Sequence, residues 1–469
     1  MEEELNPYPD PELLRLVERY EAMLRGNDYY FFDVDEYEEI IEYYFYKNEF
    51  RKASDCIQTA LEQHPGNVHL RLKEAQSAIQ RGQNVKALAI LDDLEGQDFF
   101  DHDTLLTLGN LYSQLEKPDQ AIRIYTRALE DGQDPDEVCT SIAFEYENLG
   151  KYDKAIEFLV RALEKNPDNE PCLYELAFCY EITQQTDKAI EFLMGFIDRN
   201  PFAKAAWFNL GIAYNNNELF EKALDAYDYC LAIDETFASA YFNKANCFAT
   251  LGRFEEAIDT YLESTLYEDA EPLTYYYVAE CYEKLEKYRQ AIGFYRKAIE
   301  LDPEFADAWI GMGMAYDSMG NTLSALTYIR KALQISPAIS DYWFILGDLQ
   351  LKLKKYAEGI ESYKKVTEME PEDPEIWLEL SLAYAEQQDY SKALETIREG
   401  MKWHDQNPDF YYGQSNYLLK TGKEKQAYET LEKALDMDYD GHKRLLKIFP
   451  DLKNNKEITE IIESWKPKK

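Results

Sequence analysis

A 34-residue period runs through this chain and constrains its fold more than any other feature. Around residue 207 the sequence reads Trp207-x2-Leu210-Gly211-x2-Tyr214 and then Ala223-x3-Tyr227. Stepping by 34 in both directions puts unit starts at 34, 68, 102, 136, 170, 204, 238, 272, 306, 340, 374 and 408. Twelve units then run from Val34 to Gly441 with no insertion or deletion. A period of this length builds a stack of like units, each burying its apolar face against its neighbours. A length of 469 residues would otherwise suggest about three domains, and the period overrides that reading.

Within each unit the spacing predicts helix, turn, helix, turn. The twentieth residue is alanine in eleven units, from Ala53 to Ala427, and Gly359 in the tenth. The eighth is small in all but the first, as in Ala75, Gly109, Gly211, Gly313, Gly347 and Ser381. Helices that cross at about 8–10 Å need short side chains where their axes approach. Large residues fill the rest: the eleventh position carries Tyr44, Tyr112, Tyr180, Tyr214 and Phe248, and the fourth carries Trp207, Trp309, Trp343 and Trp377, all expected as knobs between neighbouring helices. Glycine at the fifteenth position (Gly82, Gly150, Gly252, Gly320, Gly422) suits the left-handed end of a first helix, while Pro65, Pro167, Pro201, Pro303, Pro337 and Pro371 stop the second. Arg71 and Ala78 in the second unit, and Gln350 and Gly359 in the tenth, depart from this pattern and mark candidate weak points.

An array exposes an apolar face at each end unless something covers it. At the start, Asp10 is placed to N-cap a helix with Pro11 at its first position, a stripe of Leu13, Val17, Tyr20 and Leu24, and a stop at Gly26. At the other end Ile458, Ile461, Ile462 and Trp465 form one helical stripe before Pro467, with two helices split at Pro450. The four consecutive aromatics Tyr29, Tyr30, Phe31 and Phe32 are expected to run extended against the first unit, beside Tyr43 and Phe45, closing the amino-terminal mouth of a groove.

Fifty basic residues against 90 acidic ones leave a net charge of −40. A field of that sign repels nucleic acid, so a nucleic-acid partner is excluded. A hydrophobic content of 45% rules out a disordered acidic tail. No apolar run approaches the roughly 18 residues of a membrane span, and the acidic start Met1-Glu-Glu-Glu-Leu5 lacks the positive charge of a secretory signal, so no membrane insertion and a cytoplasmic location are expected. Seven cysteines without C-x-x-C spacing suit reduced thiols.

The period and its signature residues resemble the tetratricopeptide repeat family over residues 34–441. The resemblance implies an all-α fold, a right-handed α-solenoid of about twelve 34-residue helix-turn-helix repeats with capping helices at both ends, whose first helices line a concave groove. The corresponding division is a capping helix and aromatic segment over 1–33, twelve repeats over 34–441 and capping helices over 442–469. In this family positions 2, 5, 6, 9, 12 and 13 of each unit face the groove, and the middle of the chain is richest there. Candidate partner-binding residues are Tyr174, Phe208, Asn209, Asn215, Asn216, Phe242, Asn243, Asn246 and Tyr276, with Asn110 as a further member. An asparagine carboxamide donates and accepts, so a ladder of them can hold the backbone of an extended peptide while aromatics supply affinity. The same residue types also serve packing in such repeats, and both roles stay open at this point. One subtype of the family clamps chaperone carboxylate tails with a lysine at position 5; here no unit has one, so a carboxylate clamp is not expected and a neutral or basic protein or peptide fits the charge better.

Catalytic signatures are missing: no G-x-x-x-x-G-K-[ST], no G-x-S-x-G and no H-E-x-x-H occurs. Gly311 and Gly313 belong to a predicted first helix rather than a dinucleotide loop, and Ser362-x-x-Lys365 lies on a second helix. The five histidines share no face with a cysteine at ligand spacing, and Cys179, Cys247 and Cys281, all at the tenth position, read as small fillers. No metal and no cofactor is expected. The sequence therefore points to a non-enzymatic scaffold or adaptor that binds partner peptides or helices along the groove. The alternative is a self-associating structural component of a larger assembly, favoured by 15 acids against 4 bases in residues 1–50 and 4 acids against 8 bases in residues 442–469.

Overall fold

The protein is described by a computed structural model covering residues 11–26, 29–96, 100–130, 132 and 135–466; Asp10 and Pro467 lie outside the described residues. Two compact units form, residues 1–235 and 236–469. Among the described residues every regular element is helical. In the first unit helix Pro11–Arg25 precedes six helical hairpins, the last of them Lys204–Asn216 with Phe220–Ile233. The second unit stacks six more, from Ala238–Thr250 with Phe254–Ser264 to Pro408–Lys420 with Glu424–Met437, and then adds His442–Ile448 and Lys456–Ser464. First helices begin at the sequence-derived unit starts throughout, apart from the fourth, which starts one residue early at Pro135. No helix among the described residues is long and apolar enough to cross a membrane.

The turn inside each hairpin has one conformation. Gly82, Gly150, Gly252, Gly320 and Gly422 take positive φ, and so do Asn48, Glu116, Gln184, Glu218, Glu286, Lys354 and Gln388, the fifteenth residues of the other seven repeats. The backbone therefore demands a left-handed residue in every hairpin, although glycine supplies it in only five. At the other seven a Cβ tolerates a conformation that costs roughly 1–2 kcal/mol.

Packing follows the small and large positions. Alanines at the twentieth position are buried, ten of the eleven with no exposed surface. At the eighth position glycine makes room for a tyrosine at the twenty-fourth. A Cβ on Gly109, Gly211 or Gly347 would stand 2.4–2.5 Å from the ring of Tyr125, Tyr227 or Tyr363. The tryptophans at the fourth position are less buried than interhelical knobs should be, because each indole N–H reaches the preceding interhelical turn. Trp207, Trp309, Trp343 and Trp377 donate to the carbonyls of Pro201, Pro303, Pro337 and Pro371 at 2.9–3.0 Å. Tryptophan and proline thus form one device that fixes the turn between repeats. In the tenth repeat Gln350, which departs from the pattern, is buried and accepts from Ser362 Oγ at 2.7 Å. A Cβ on Gly359 would lie 3.0 Å from Leu351 Cδ2, so alanine there would press on that side chain.

All seven cysteines are free and buried. Helix Pro11–Arg25 buries Val17, Tyr20 and Met23 with Tyr37, Ile40 and Ile41 of the first hairpin. The aromatic segment runs extended against the first hairpin as expected, but departs from expectation in the face it meets and in how little of it is buried. Only Phe32 is buried, edge-on to Tyr20 at 6.0 Å, while Tyr29 and Phe31 are 77% and 65% exposed. Its hydrogen bonds run to the end of helix Phe50–Gln63 instead of the first-helix face: Phe32 N donates to Gln63 Oε1 at 3.1 Å, Gln63 Nε2 donates to Tyr30 O at 2.9 Å, and His64 Nε2 lies 2.8 Å from Phe32 O. A glutamine that both donates and accepts can hold an extended backbone, and that drew the segment to the second helix. At the carboxyl end Leu445, Leu452, Ile458 and Ile462 cover Leu431 and Leu435 of the last hairpin.

Candidate partner-binding surface

The candidate residues fall in both compact units. In the first, Tyr174 and Phe208 meet edge-to-face at 6.4 Å. Tyr174, Asn209 and Asn216 line one pocket of about 180 Å³ between helices Glu170–Ile182 and Lys204–Asn216, together with Phe178 and Glu181. Asn216 is exposed, Asn215 half-buried, and Phe208 largely buried. Asn209 is only 3% exposed, and its Nδ2 lies 3.5 Å from the carbonyl of Leu173 on the preceding first helix. Its carboxamide therefore links two repeats, whereas that of Asn216 reaches solvent.

In the second unit Phe242 and Asn243 line a pocket of about 260 Å³ with Ser264, Thr265, Glu268, Asp269 and Glu271. Phe242 packs on Tyr261 at 5.5 Å and on Tyr277 at 5.8 Å. Asn243 Nδ2 donates to Ser239 O of its own helix at 2.9 Å. Asn246 accepts from the Tyr261 hydroxyl, and Asn110 in the first unit accepts from Tyr125 in the same way at 2.6 Å. Each keeps an amide NH₂ as donor. Tyr276 donates to Glu280 Oε1 at 2.9 Å and packs on Tyr295 at 5.7 Å. The asparagine ladder is thus partly structural: a tyrosine at the twenty-fourth position and an amide at the ninth bond across one hairpin. In the tenth repeat Tyr363 makes this bond to Asp348.

Carboxylates on the first helices sit in a low-dielectric setting. Burial raises the Glu280, Glu283 and Asp348 carboxyls above their ordinary range, against the hydroxyls of Tyr276, Tyr295 and Tyr363 that pull them down. Burial likewise raises Glu147, aided by the charge of Glu175. Groups strained in this way favour a cationic neighbour. No cluster of His, Cys, Asp and Glu among the described residues has the makings of a metal site.

The residues that sequence reasoning passed over are those of the fourth repeat. A pocket of about 550 Å³ opens there between first helices, lined by Thr140, Phe144, Glu145, Glu147 and Glu175 among others. Phe144 and Phe178, both at the ninth position, are 55% and 46% exposed. The signal was in the repeat alignment. Glu145 stands at the tenth position, where eight other repeats have alanine, cysteine or leucine.

Family models described as tetratricopeptide repeat match residues 39–99, 104–137, 149–210, 205–237, 238–269, 272–305, 294–327, 350–417 and 408–440. No curated protein matches the chain. Among solved structures the chain is similar to the Cut9–Hcn1 hetero-tetramer of the APC/C, at 14% identity over 86% of this chain and 92% of that one, with a TM-score of 0.39. It is similar to the C-terminal part of a repeat protein from Cytophaga hutchinsonii, at 18% identity over 52% of this chain and 99% of that one, with a TM-score of 0.45. YrrB, described as having an unusual peptide-binding site, aligns at 21% identity over 38% of this chain and 92% of its own, with a TM-score of 0.33.

Proposed function

The chain belongs to the tetratricopeptide repeat family, whose fold generally mediates protein–protein interaction and assembly, and from that premise we propose that it is a non-enzymatic scaffold or adaptor. Partner peptides or helices bind along the face made by the first helices, with residues 1–33 and 442–469 capping the repeats of 34–441. The observation that carries this reading is the placement of open, mixed aromatic and polar pockets. Those around Tyr174 and Asn216 and around Glu145 draw lining residues from successive first helices, and that around Phe242 and Asn243 lies between helix Ala238–Thr250 and the turn that leads into the next first helix. Each is large enough for a side chain and offers amide donors beside apolar rings, the composition of a protein-recognition surface. A net charge of −40 and the carboxylates on these helices select neutral or basic partners.

The test uses the full chain and the partner isolated with it. Tyr174→Ala and Asn216→Ala should each weaken binding several-fold, while Asp198→Ala on the neighbouring second helix leaves it unchanged. Equal loss from all three would refute a first-helix site. Sedimentation velocity separates the assembly reading: a monomer at tens of micromolar agrees with an adaptor, and concentration-dependent growth favours self-association.

A further inference from the structure

The fourth repeat lacks an aromatic pair that four other repeats of the chain carry. Between the fifth and twenty-fourth positions the sixth, seventh, eighth and tenth repeats carry an aromatic pair: Phe208 with Tyr227, Phe242 with Tyr261, Tyr276 with Tyr295, Phe344 with Tyr363, ring centroids 5.5–6.0 Å apart. The fourth repeat has Thr140 and Leu159 there, and both line the 550 Å³ pocket. The pocket opens beside these smaller side chains.

What surrounds that volume is acidic. Asp136, Glu137, Glu145, Glu147 and Glu175 line it, and among the described residues no ion pair engages any of the five. Asp136 accepts from Asn166 Nδ2 at 2.8 Å and Glu147 from Cys179 Sγ at 3.4 Å, both neutral donors. Glu145 stands apart from these. It is 2% exposed, and its Oε1 has no hydrogen-bond partner in the protein. A buried carboxylate oxygen without a partner is costly to the fold, and such a group calls for a specific explanation. Two aromatic rings, Phe144 and Tyr125, also line the pocket.

We propose that this pocket receives an arginine side chain from a protein partner, an assignment that rests on the interaction role argued above. A guanidinium matches the lining better than an ammonium. Its planar fork donates to several carboxylates at once, its faces stack on aromatic rings, and it sheds water more readily on burial. The long stem of arginine fills the pocket beside Thr140 and Leu159, so that its charge reaches Glu145 at the buried end.

The probe is N-acetyl-arginine methylamide, titrated against the full chain at low salt and followed by ligand-observed NMR. Saturable binding is expected. The citrulline analogue, equal in shape but uncharged, should not bind, and the lysine analogue should bind about tenfold more weakly, the difference between a forked and a point-charge contact. Glu145→Gln should reduce affinity tenfold or more, because a charge-assisted bond becomes a neutral one. Its melting temperature should hold or rise, since an unpartnered buried charge is removed, so lost binding cannot be ascribed to unfolding. Thr140→Phe, which restores the ring found in other repeats, should block the pocket outright. Glu164→Gln, the same charge change on the exposed side of the fourth repeat's second helix Tyr152–Lys165, should leave the affinity unaltered. The assignment is overturned if the probe does not bind, if citrulline or lysine binds as tightly as arginine, or if Glu164→Gln weakens binding as much as Glu145→Gln, which would make the effect one of overall field. Probe failure with a partner still sensitive to Tyr174→Ala and Asn216→Ala refutes the arginine pocket alone. A bound probe with a partner indifferent to those substitutions refutes the first-helix reading instead.

Discussion

Gly109→Ala should destabilise the third repeat, and the same substitution should stabilise it once Tyr125 has been replaced by leucine. A Cβ built on Gly109 falls 2.4 Å from Tyr125 Cε1, 2.7 Å from Cδ1 and 2.9 Å from Cζ. The ring would have to withdraw by about 1 Å to reach ordinary contact, and it is poorly free to do so. Tyr125 is buried, and its hydroxyl donates to Asn110 Oδ1 at 2.6 Å. Overpacking of this kind costs about 1–3 kcal/mol, and the better helix propensity of alanine returns up to about 1 kcal/mol, leaving a net loss near 1 kcal/mol. Tyr125→Leu alone should cost about 3 kcal/mol through the lost ring and hydrogen bond. In that background the clash is gone, so adding Gly109→Ala should recover about 1 kcal/mol, a coupling of about 2 kcal/mol. The chain already contains the double combination, as Ala143 with Leu159 and Ala177 with Leu193. Because repeat arrays unfold locally, the suitable assay is hydrogen exchange of peptides covering His102–Gln114 and Pro118–Glu130 in all four proteins. The same sign for Gly109→Ala in both backgrounds would refute the packing rule.

Three further outcomes can be measured on the same preparation. Glu218→Gly relieves a positive φ of 57° and should raise stability by about 1 kcal/mol, with Glu221→Gly in the following helix lowering it by a similar amount; the two midpoints in urea decide. Glu280, Glu283 and Asp348 have folded-state values raised above the ordinary 4.5 and 3.8 by partial desolvation, so the folded chain binds more protons than the unfolded one just above those values. Stability should therefore climb as pH is lowered from 7 into that window, then fall once Glu21 and Asp101, whose values are lowered, are protonated at more acid pH. Asp348→Asn, which keeps an acceptor for Tyr363 as Asn246 does for Tyr261, should stabilise at pH 7 and flatten the climb, and a steeper profile would contradict the assignment. Deleting residues 1–33 uncovers Tyr37, Ile40 and Ile41 and should lower stability by several kcal/mol at about 1.5–3 kcal/mol for each large side chain exposed; an unchanged melting temperature would show that the segment is no cap.

The hairpins were legible because their grammar is positional. Alanine at the twentieth residue, proline at the thirty-second and a spacing without insertion place each helix to within a residue or so. Glycine at the fifteenth residue revealed the left-handed turn in five repeats, but Asn48 or Glu218 gives no hint of it alone; the common conformation emerges only when the repeats are overlaid. The proposed binding face was legible in part. Position in the repeat says which residues point to that face, yet it does not say which are already engaged there. Asn209 reaches back to Leu173, and Asn246 answers Tyr261, through contacts between helices that a linear reading does not show. The acidic pocket escaped for a different reason: attention to aromatics at the fifth position passes over Thr140, where the informative event is a missing ring. Comparing each repeat with its siblings, not with a family pattern, would have flagged both Thr140 and Glu145.

Site-specific photo-cross-linking tests the central claim most directly. A benzoylphenylalanine is placed at Phe178, exposed on a first helix, and in a second protein at Asp198, exposed on the second helix of the same repeat. Each full chain is irradiated with its co-purified partner. The account predicts a cross-linked heteromeric product from position 178 and none from position 198. A partner captured from position 198 alone, or a cross-link only between two copies of this chain, would contradict it.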